Sequence, residues 1–218
     1  KELKLKFNLN SECIYNPLNK KEILQKSKDN INLSFFKTNN KFKILNIGRF
    51  TDQKDHHTLL KSVKILKNKY NLNFILLIMG RGKNEKKIKY FINKNNLAQN
   101  VKVIGFKKNP YKYIKHCDLF VLSSIFEGLP NVLLEAITLK KFVVSSDCPT
   151  GPNEILNNGK GGFLFKTGNS NDLAKKIILY HNNKKIYNKR IKFAYKNLER
   201  FDYNVNLKKY FDVITDLF

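Results

Sequence analysis

Apolar residues along this chain change their spacing in a regular way. From Lys41 onward, short and nearly continuous apolar runs alternate with longer stretches in which apolar residues recur every three or four positions. The runs predict strands at 42–47, 74–79, 101–104, 118–122, 142–145 and 163–165. Phe74 to Met79 has no polar position, as a strand buried on both faces requires. The periodic stretches predict helices at 55–70, 84–96, 130–139 and 152–157. In the first of these Leu59, Val63, Leu66 and Tyr70 fall on one face. A short helix follows Pro110, a residue suited to a first helical position. The end of the chain reads as helix at about 170–182, 184–199 and 204–217.

Strands alternating with helices predict a parallel sheet covered on both faces, an α/β Rossmann-like doubly wound domain of about six strands. Ligands of such sheets bind outside the carboxyl ends of the strands. Gly48-Arg49, Gly80-Arg81-Gly82, Gly105-Phe106, Ser123 to Pro130 and Ser146 to Pro152 all fall at such ends. Residues 1–40 are polar, with a turn signal at Asn16-Pro17, and read as an interdomain linker with the tail of a further domain. Residues 41–200 make the Rossmann-like domain, and 201–218 a last helix. Its stripe of Leu207, Phe211, Ile214 and Phe218 needs a partner, either this domain or another. The chain starts without Met, which predicts a piece of a longer protein.

Composition adds limits. With 42% hydrophobic residues, 218 residues can bury a sizeable core, and no apolar run reaches the length of a membrane span. The first seven residues lack the apolar core of a signal peptide. Cys13, Cys117 and Cys148 lack metal-ligand spacing and read as reduced thiols of a cytoplasmic protein. The net charge of +25 points to an anionic partner: a membrane surface, a phosphorylated substrate or nucleic acid. The lysines are scattered, so compositional drift toward Lys and Asn is the competing explanation. If the charge has a role, the anionic inner leaflet of a membrane is the favoured partner, ahead of specific nucleic acid.

The richest segment is Glu127-Gly128-Leu129-Pro130-Asn131-Val132-Leu133-Leu134-Glu135. It follows an apolar strand and opens a helix, and a glycine turn leading into a helix N-terminus is a cradle for phosphate. Gly128 permits close approach of a ligand, Pro130 suits the helix start and Asn131 offers a donor. Side chains on a helix tilt toward its N-terminus, so Glu135 can lean over the turn. A carboxylate among Leu133, Leu134, Ala136 and Ile137 needs a partner, although a solvated helix residue is the plainer explanation. Arg49 and Lys54 at the first strand end form a planar fork and a point charge, suited to a diphosphate. Gly80-Arg81-Gly82-Lys83 matches neither common phosphate-loop spacing, and Gly105-Phe106 can simply end a strand. Asp147 to Leu156 forms a second turn, of tight shape beside the first, whose Thr150 and Gly151 can face a ligand, with Glu154 near a helix start. The chain has no D-x-D, G-x-S-x-G or H-E-x-x-H. His56, His57, His116 and His181 form no ligand pattern and are expected on helix surfaces.

Together these motifs resemble the carboxy-terminal half of a retaining GT-B glycosyltransferase of family 4, the glycosyl transferases group 1. The resemblance covers about 41–200. It rests on Gly48-Arg49-Phe50 with Lys54, Gly80-x-Gly82, Gly105-Phe106, the E-x7-E of Glu127 and Glu135, and the Cys148 to Leu156 turn. It implies a UDP- or GDP-sugar donor, a glycan or lipid-linked acceptor, an N-terminal acceptor domain and no obligatory metal or other cofactor. Arg49 and Lys54 would hold the diphosphate, and the Gly128, Leu129, Pro130 and Asn131 backbone would cap it. Glu135 would bind the ribose and Glu127 the transferred sugar, giving Glu127, Arg49 and Lys54 catalytic roles. Gly80, Arg81, Gly105 and Phe106 would flank the base, and Gly48 would be a further donor-binding residue. Two departures bear on donor identity: Gly128-Leu129-Pro130 where many members have Phe-Gly, and Lys54-Asp55 where many have Lys-Gly. A nucleotide-sugar epimerase of the same fold and a basic nucleic-acid- or membrane-binding module are the competing functions.

Overall fold

In the computed structural model, which describes residues 2–8, 11–31, 33–36 and 40–215, every apolar run forms a parallel strand. These are β1 (Phe42–Ile47), β2 (Phe74–Met79), β3 (Val101–Ile104), β4 (Leu119–Leu122), β5 (Phe142–Ser146) and β6 (Phe163–Phe165). Their order across the sheet is β3-β2-β1-β4-β5-β6. β1 pairs with β2 from Phe42↔Phe74 to Ile47↔Met79, and with β4 at Ile44↔Leu119 and Leu45↔Phe120.

Successive side chains of a strand point to opposite faces, so each strand feeds two cores. Ile44, Leu76, Val121 and Val144 face one layer, where they meet Leu59, Val63 and Leu173. Leu45, Leu77, Phe120 and Val143 face the other, where they meet Leu133, Ile137 and Leu198. That two-sided burial explains why these strands read as unbroken apolar runs.

The N-terminal region carries α1 (Glu2–Phe7) and α2 (Lys20–Lys26). The first layer is built from α3 (His56–Asn68), α4 (Glu85–Lys94) and α8 (Ser170–Asn182). The second contains α5 (Tyr111–His116), α6 (Asn131–Thr138), α7 (Pro152–Ile155) and α9 (Asn188–Lys196). The predicted helix at 184–199 splits into α9 and a 3-10 turn at Asn197–Phe201. The last helix, α10, spans Tyr203–Thr215.

One region differs from the sequence expectation, and the last helix bears on a choice the sequence left open. Within the segment read as linker, Leu18, Ile23, Ile31 and Phe36 are buried in the second core, and α2 packs beside α5 and α6. Their apolar spacing is irregular, so no period announced a packed element. Along α10, Phe211 and Ile214 are exposed and Leu207 is half-buried, so the stripe does not lie in the core of this domain. Phe218 lies outside the described residues.

The chain runs outward from β1 to β3, then returns to the other side of β1 with β4. The β1–β4 seam is therefore the topological switch point, and loops leaving its carboxyl end open a crevice.

Candidate active site

The loop after β1 carries the first part of the site. Gly48 N–H donates to the Met79 carbonyl at 3.0 Å and Phe50 N–H to the Arg81 carbonyl at 2.9 Å, tying this loop to the one after β2. The approach is close: a Cβ on Gly80 would lie 1.9 Å from the Gly48 carbonyl oxygen. A 3-10 turn at Asp52–Lys54 then leads into α3. Asp55, at a left-handed φ of 40°, caps α3 by accepting from Thr58 N–H at 3.0 Å. The turn sends Lys54 back over Gly48, with Lys54 Cγ 3.4 Å from where a Gly48 Cβ would stand. Arg49 stays exposed, with no ion-pair partner among the described residues.

Across the switch point, the loop after β4 supplies Glu127. Its Oε1 accepts from Lys54 Nζ at 2.5 Å and from Ser124 Oγ at 2.6 Å. The two side chains are only 15% and 7% exposed, so the pair is shielded and its geometry fixed. Sequence reasoning placed Lys54 and Glu127 separately; the structure joins them. Backbone and side-chain bonds hold the two loops together: Ser123 Oγ to the Lys54 carbonyl (2.9 Å), Ile125 N–H to the Gln53 carbonyl (2.8 Å) and Gln53 Nε2 to the Phe126 carbonyl (3.0 Å). Ser124 was not singled out from sequence. Its signal was a polar pair, Ser123-Ser124, directly after an apolar strand.

The turn after Glu127 is shaped by the loop after β5. Thr150 Oγ1 donates to the Glu127 carbonyl. Gly151, at φ 73°, presses so close that a Cβ there would lie 1.9 Å from the Gly128 carbonyl oxygen. Gly128 itself faces open space, with nothing within 4 Å of where its Cβ would stand. Pro130 sits at the cap of α6 and Asn131 is its first residue.

Glu135, one helical turn further on, faces a cleft of about 320 Å³ lined by Asn16, Pro17, Tyr111 and Asn131. Burial pushes its carboxyl up to about 7. Its carboxylate has no hydrogen-bond or ion-pair partner among the described residues, in contrast to Glu127. Tyr111 was missed by the sequence reading. Burial, with the Glu135 charge beside it, pushes its hydroxyl up to about 12. On the other side of the crevice, Gly48, Arg49, Gly80, Arg81 and Phe106 line a mostly apolar cleft of about 310 Å³. Phe106 is 62% exposed, with the Arg81 guanidinium 5.5 Å from its ring centre. Gly105 beside it faces open space. Leu129 is half-buried against the second core.

The remaining titratable groups have other surroundings. His56 is not on a helix surface as expected: it is 3% exposed and packs edge-on against Phe50. Position 56 continues the Leu59-Val63-Leu66 stripe of α3, which carries it inward. His57 and His116 are exposed. Cys117 and Cys148 are buried, and burial raises both thiols, Cys117 to about 12. Glu154 accepts a hydrogen bond from the Tyr15 hydroxyl. Among the described residues no cluster of three or more His, Cys, Asp or Glu is placed to hold a metal ion.

Comparison with known proteins assigns the family. The sequence model "Glycosyl transferases group 1" matches residues 27–197. A Campylobacter jejuni protein, N-acetylgalactosamine-N,N'-diacetylbacillosaminyl-diphospho-undecaprenol 4-alpha-N-acetylgalactosaminyltransferase, is 31% identical over 186 residues, covering 85% of this chain and 47% of that protein. An uncharacterized glycosyltransferase of Methanocaldococcus jannaschii is 48% identical over 115 residues, covering 53% of this chain and 28% of that protein. This chain thus spans about half or less of these relatives. The crystal structure of a Rickettsia africae glycosyltransferase superposes with a TM-score of 0.83 at 19% identity, covering 99% of this chain and 60% of that one. The Anabaena Alr3699/HepE structure with UDP and glucose gives 0.80 at 21% identity, covering 94% and 56%. These two likenesses establish the fold, the Rossmann-like half of GT-B glycosyltransferases. With the family model covering most of its length, the chain belongs to the glycosyl transferases group 1 family.

Proposed function

We propose that this chain is the donor-binding half of a retaining, family 4 glycosyltransferase. It takes a UDP- or GDP-sugar and transfers the sugar to a glycan or lipid-linked acceptor in cell-surface polysaccharide or glycan synthesis. The observation that carries the reading is Glu135: a half-buried carboxylate with no protein partner, at the mouth of a cleft, is free to accept a ligand's hydroxyls. Ribose hydroxyls fit that role. The base lies in the Arg81–Phe106 cleft, where an exposed ring offers a stacking face. Arg49 and Lys54 compensate the leaving diphosphate, with no metal. Lys54 keeps one N–H on Glu127 and has two more to give to phosphate oxygens. Glu127, held by Lys54 and Ser124, contacts the transferred sugar and opposes positive charge at its anomeric carbon. Fixed charges of this kind, aimed where charge develops, supply most of the rate acceleration in such transfers.

Two relatives support the acceptor and donor classes: the Campylobacter jejuni protein acts on a diphospho-undecaprenol-linked glycan, and the Anabaena structure holds UDP and glucose. No helix among the described residues is long and apolar enough to cross a membrane. We place the enzyme in the cytoplasm, peripheral to the inner face of an anionic membrane, with an N-terminal acceptor domain completing the cleft. A thermal-shift panel of UDP, GDP and their sugars tests the donor site. Stabilisation by one nucleotide series, lost in Arg49→Ala and in Glu135→Ala, supports it. Stabilisation that survives both substitutions overturns the assignment.

A further inference from the structure

Resting on the donor reading above, we propose that Ser124 and Ser146 are positioning residues that aim Glu127. They leave its Oε2 alone to accept one hydroxyl of the transferred sugar, and so make that hydroxyl a requirement for a good donor.

Both donors that reach Glu127 come to the same oxygen. Oε1 accepts from Lys54 Nζ at 2.5 Å and from Ser124 Oγ at 2.6 Å. Oε2 has no hydrogen-bond partner among the described residues, and it is not one of the sealed polar atoms. The small exposed part of the side chain, 7%, therefore includes this oxygen. Gly128, the next residue, faces open space, so a ligand has room beside it. A glutamate carboxylate turns easily about its last torsion, and an untethered one exchanges its two oxygens. Two donors from different loops, both on Oε1, hold the plane of the group and fix which oxygen faces outward.

The anchor is itself held. Ser124 is 0% exposed, and a buried hydroxyl costs free energy unless it is paired. Glu127 is the partner of its Oγ. The Ser124 carbonyl accepts from Ser146 Oγ at 2.6 Å, and Ser146, equally buried, ends β5. Since β5 lies beside β4, the relay joins two neighbouring strand ends, and Lys54 brings in the loop after β1. Hydrogen bonds from a hydroxyl and an ammonium to a carboxylate are the strong kind, and here water is largely excluded from them. An ionised carboxylate only accepts hydrogen bonds. Oε2 is thus matched to a group that donates, and a sugar that lacks the hydroxyl at that position leaves it unpaired.

Calorimetric titration of the full 218-residue chain is the test. It compares UDP with UDP-glucose, UDP-galactose, UDP-N-acetylglucosamine and UDP-N-acetylgalactosamine, and GDP with GDP-mannose. Ser124→Ala should weaken the tightest nucleotide sugar about tenfold and leave the bare nucleotide within about twofold, which also shows an intact fold. Ser146→Ala should act in the same direction by less. Among deoxy forms of that sugar, one should bind the parent about tenfold more weakly. Ser124→Ala should add little to that loss, because both changes remove the same contact. Equal weakening of nucleotide and nucleotide sugar in Ser124→Ala would show a merely structural role and overturn the proposal. An undiminished nucleotide sugar, or losses that simply add in the deoxy series, would also overturn it. A parent that binds no nucleotide sinks the donor reading and this proposal together. A parent that binds nucleotide sugar and is indifferent to Ser124→Ala sinks this proposal alone.

Discussion

Burial disfavours the charged form of both Glu135 and His56, and they respond to pH with opposite sign. Glu135 titrates near 7 in the folded chain against an ordinary value of 4.5. The unfolded chain releases that proton first, so stability falls as pH rises from about 4.5 through 7. Glu135→Gln should therefore be more stable than the parent by up to about 3 kcal/mol at pH 8 and no different at pH 4, measured by urea unfolding. The same variant should lose nucleotide binding, which is the cost a binding carboxylate imposes on the free domain. A parent and variant that agree at both pH values would show a solvated carboxylate. His56 titrates near 4 against an ordinary 6.5, so the unfolded chain takes up a proton first on acidification. Stability should fall as pH drops from 6.5 through 4, by about 3 kcal/mol, and His56→Phe should flatten that limb.

Two glycines separate the geometry of the fold from that of the site. Gly151 holds φ at 73°, and any Cβ there would run into the Gly128 carbonyl. Gly151→Ala should cost at least about 2 kcal/mol and displace the 127–130 turn, lowering both the melting temperature and nucleotide affinity. Gly128 meets nothing. Gly128→Ala should leave stability within about 0.5 kcal/mol of the parent yet abolish donor binding, if a phosphate occupies the space above it. Calorimetry with the matching nucleotide checks both, and full binding by Gly128→Ala would remove the phosphate from that turn. At this scale the sequence was highly legible. The inner strands are buried on both faces, and β2, β3 and β6 begin and end where their apolar runs do. The site loops were legible because each lies at a strand's carboxyl end. The Lys54–Glu127 contact was not, since 73 residues separate its partners and only the strand order brings β1 beside β4. His56 was legible in principle from its place on the α3 stripe, but a histidine carries little hydrophobic signal. Tyr111 gave no such signal, since its role depends on α2 and α5 closing around Glu135.

At the scale of the whole molecule, the charge of +25 separates into two accounts with different consequences. Compositional drift scatters lysines without regard to direction. A membrane-binding role requires that one face meets the bilayer, with each basic residue near the surface contributing about 1 kcal/mol. The sheet offers a clean comparison, because α4 and α9 lie in opposite layers. Lys86, Lys87 and Lys89 are exposed on α4; Lys185, Lys189 and Lys192 are exposed on and just before α9. Charge reversal of each trio removes the same formal charge from a different face. The chain should co-sediment with phosphatidylglycerol vesicles at low salt and be released as the screening length falls below about 8 Å. If the charge is functional, one trio should weaken vesicle binding at least tenfold more than the other. Equal weakening would assign the lysines to drift and leave the chain without an intrinsic membrane face. Glu135→Ala serves as the control: it should lose nucleotide and keep vesicle binding, because the carboxylate lies in a cleft and the lysines lie outside it.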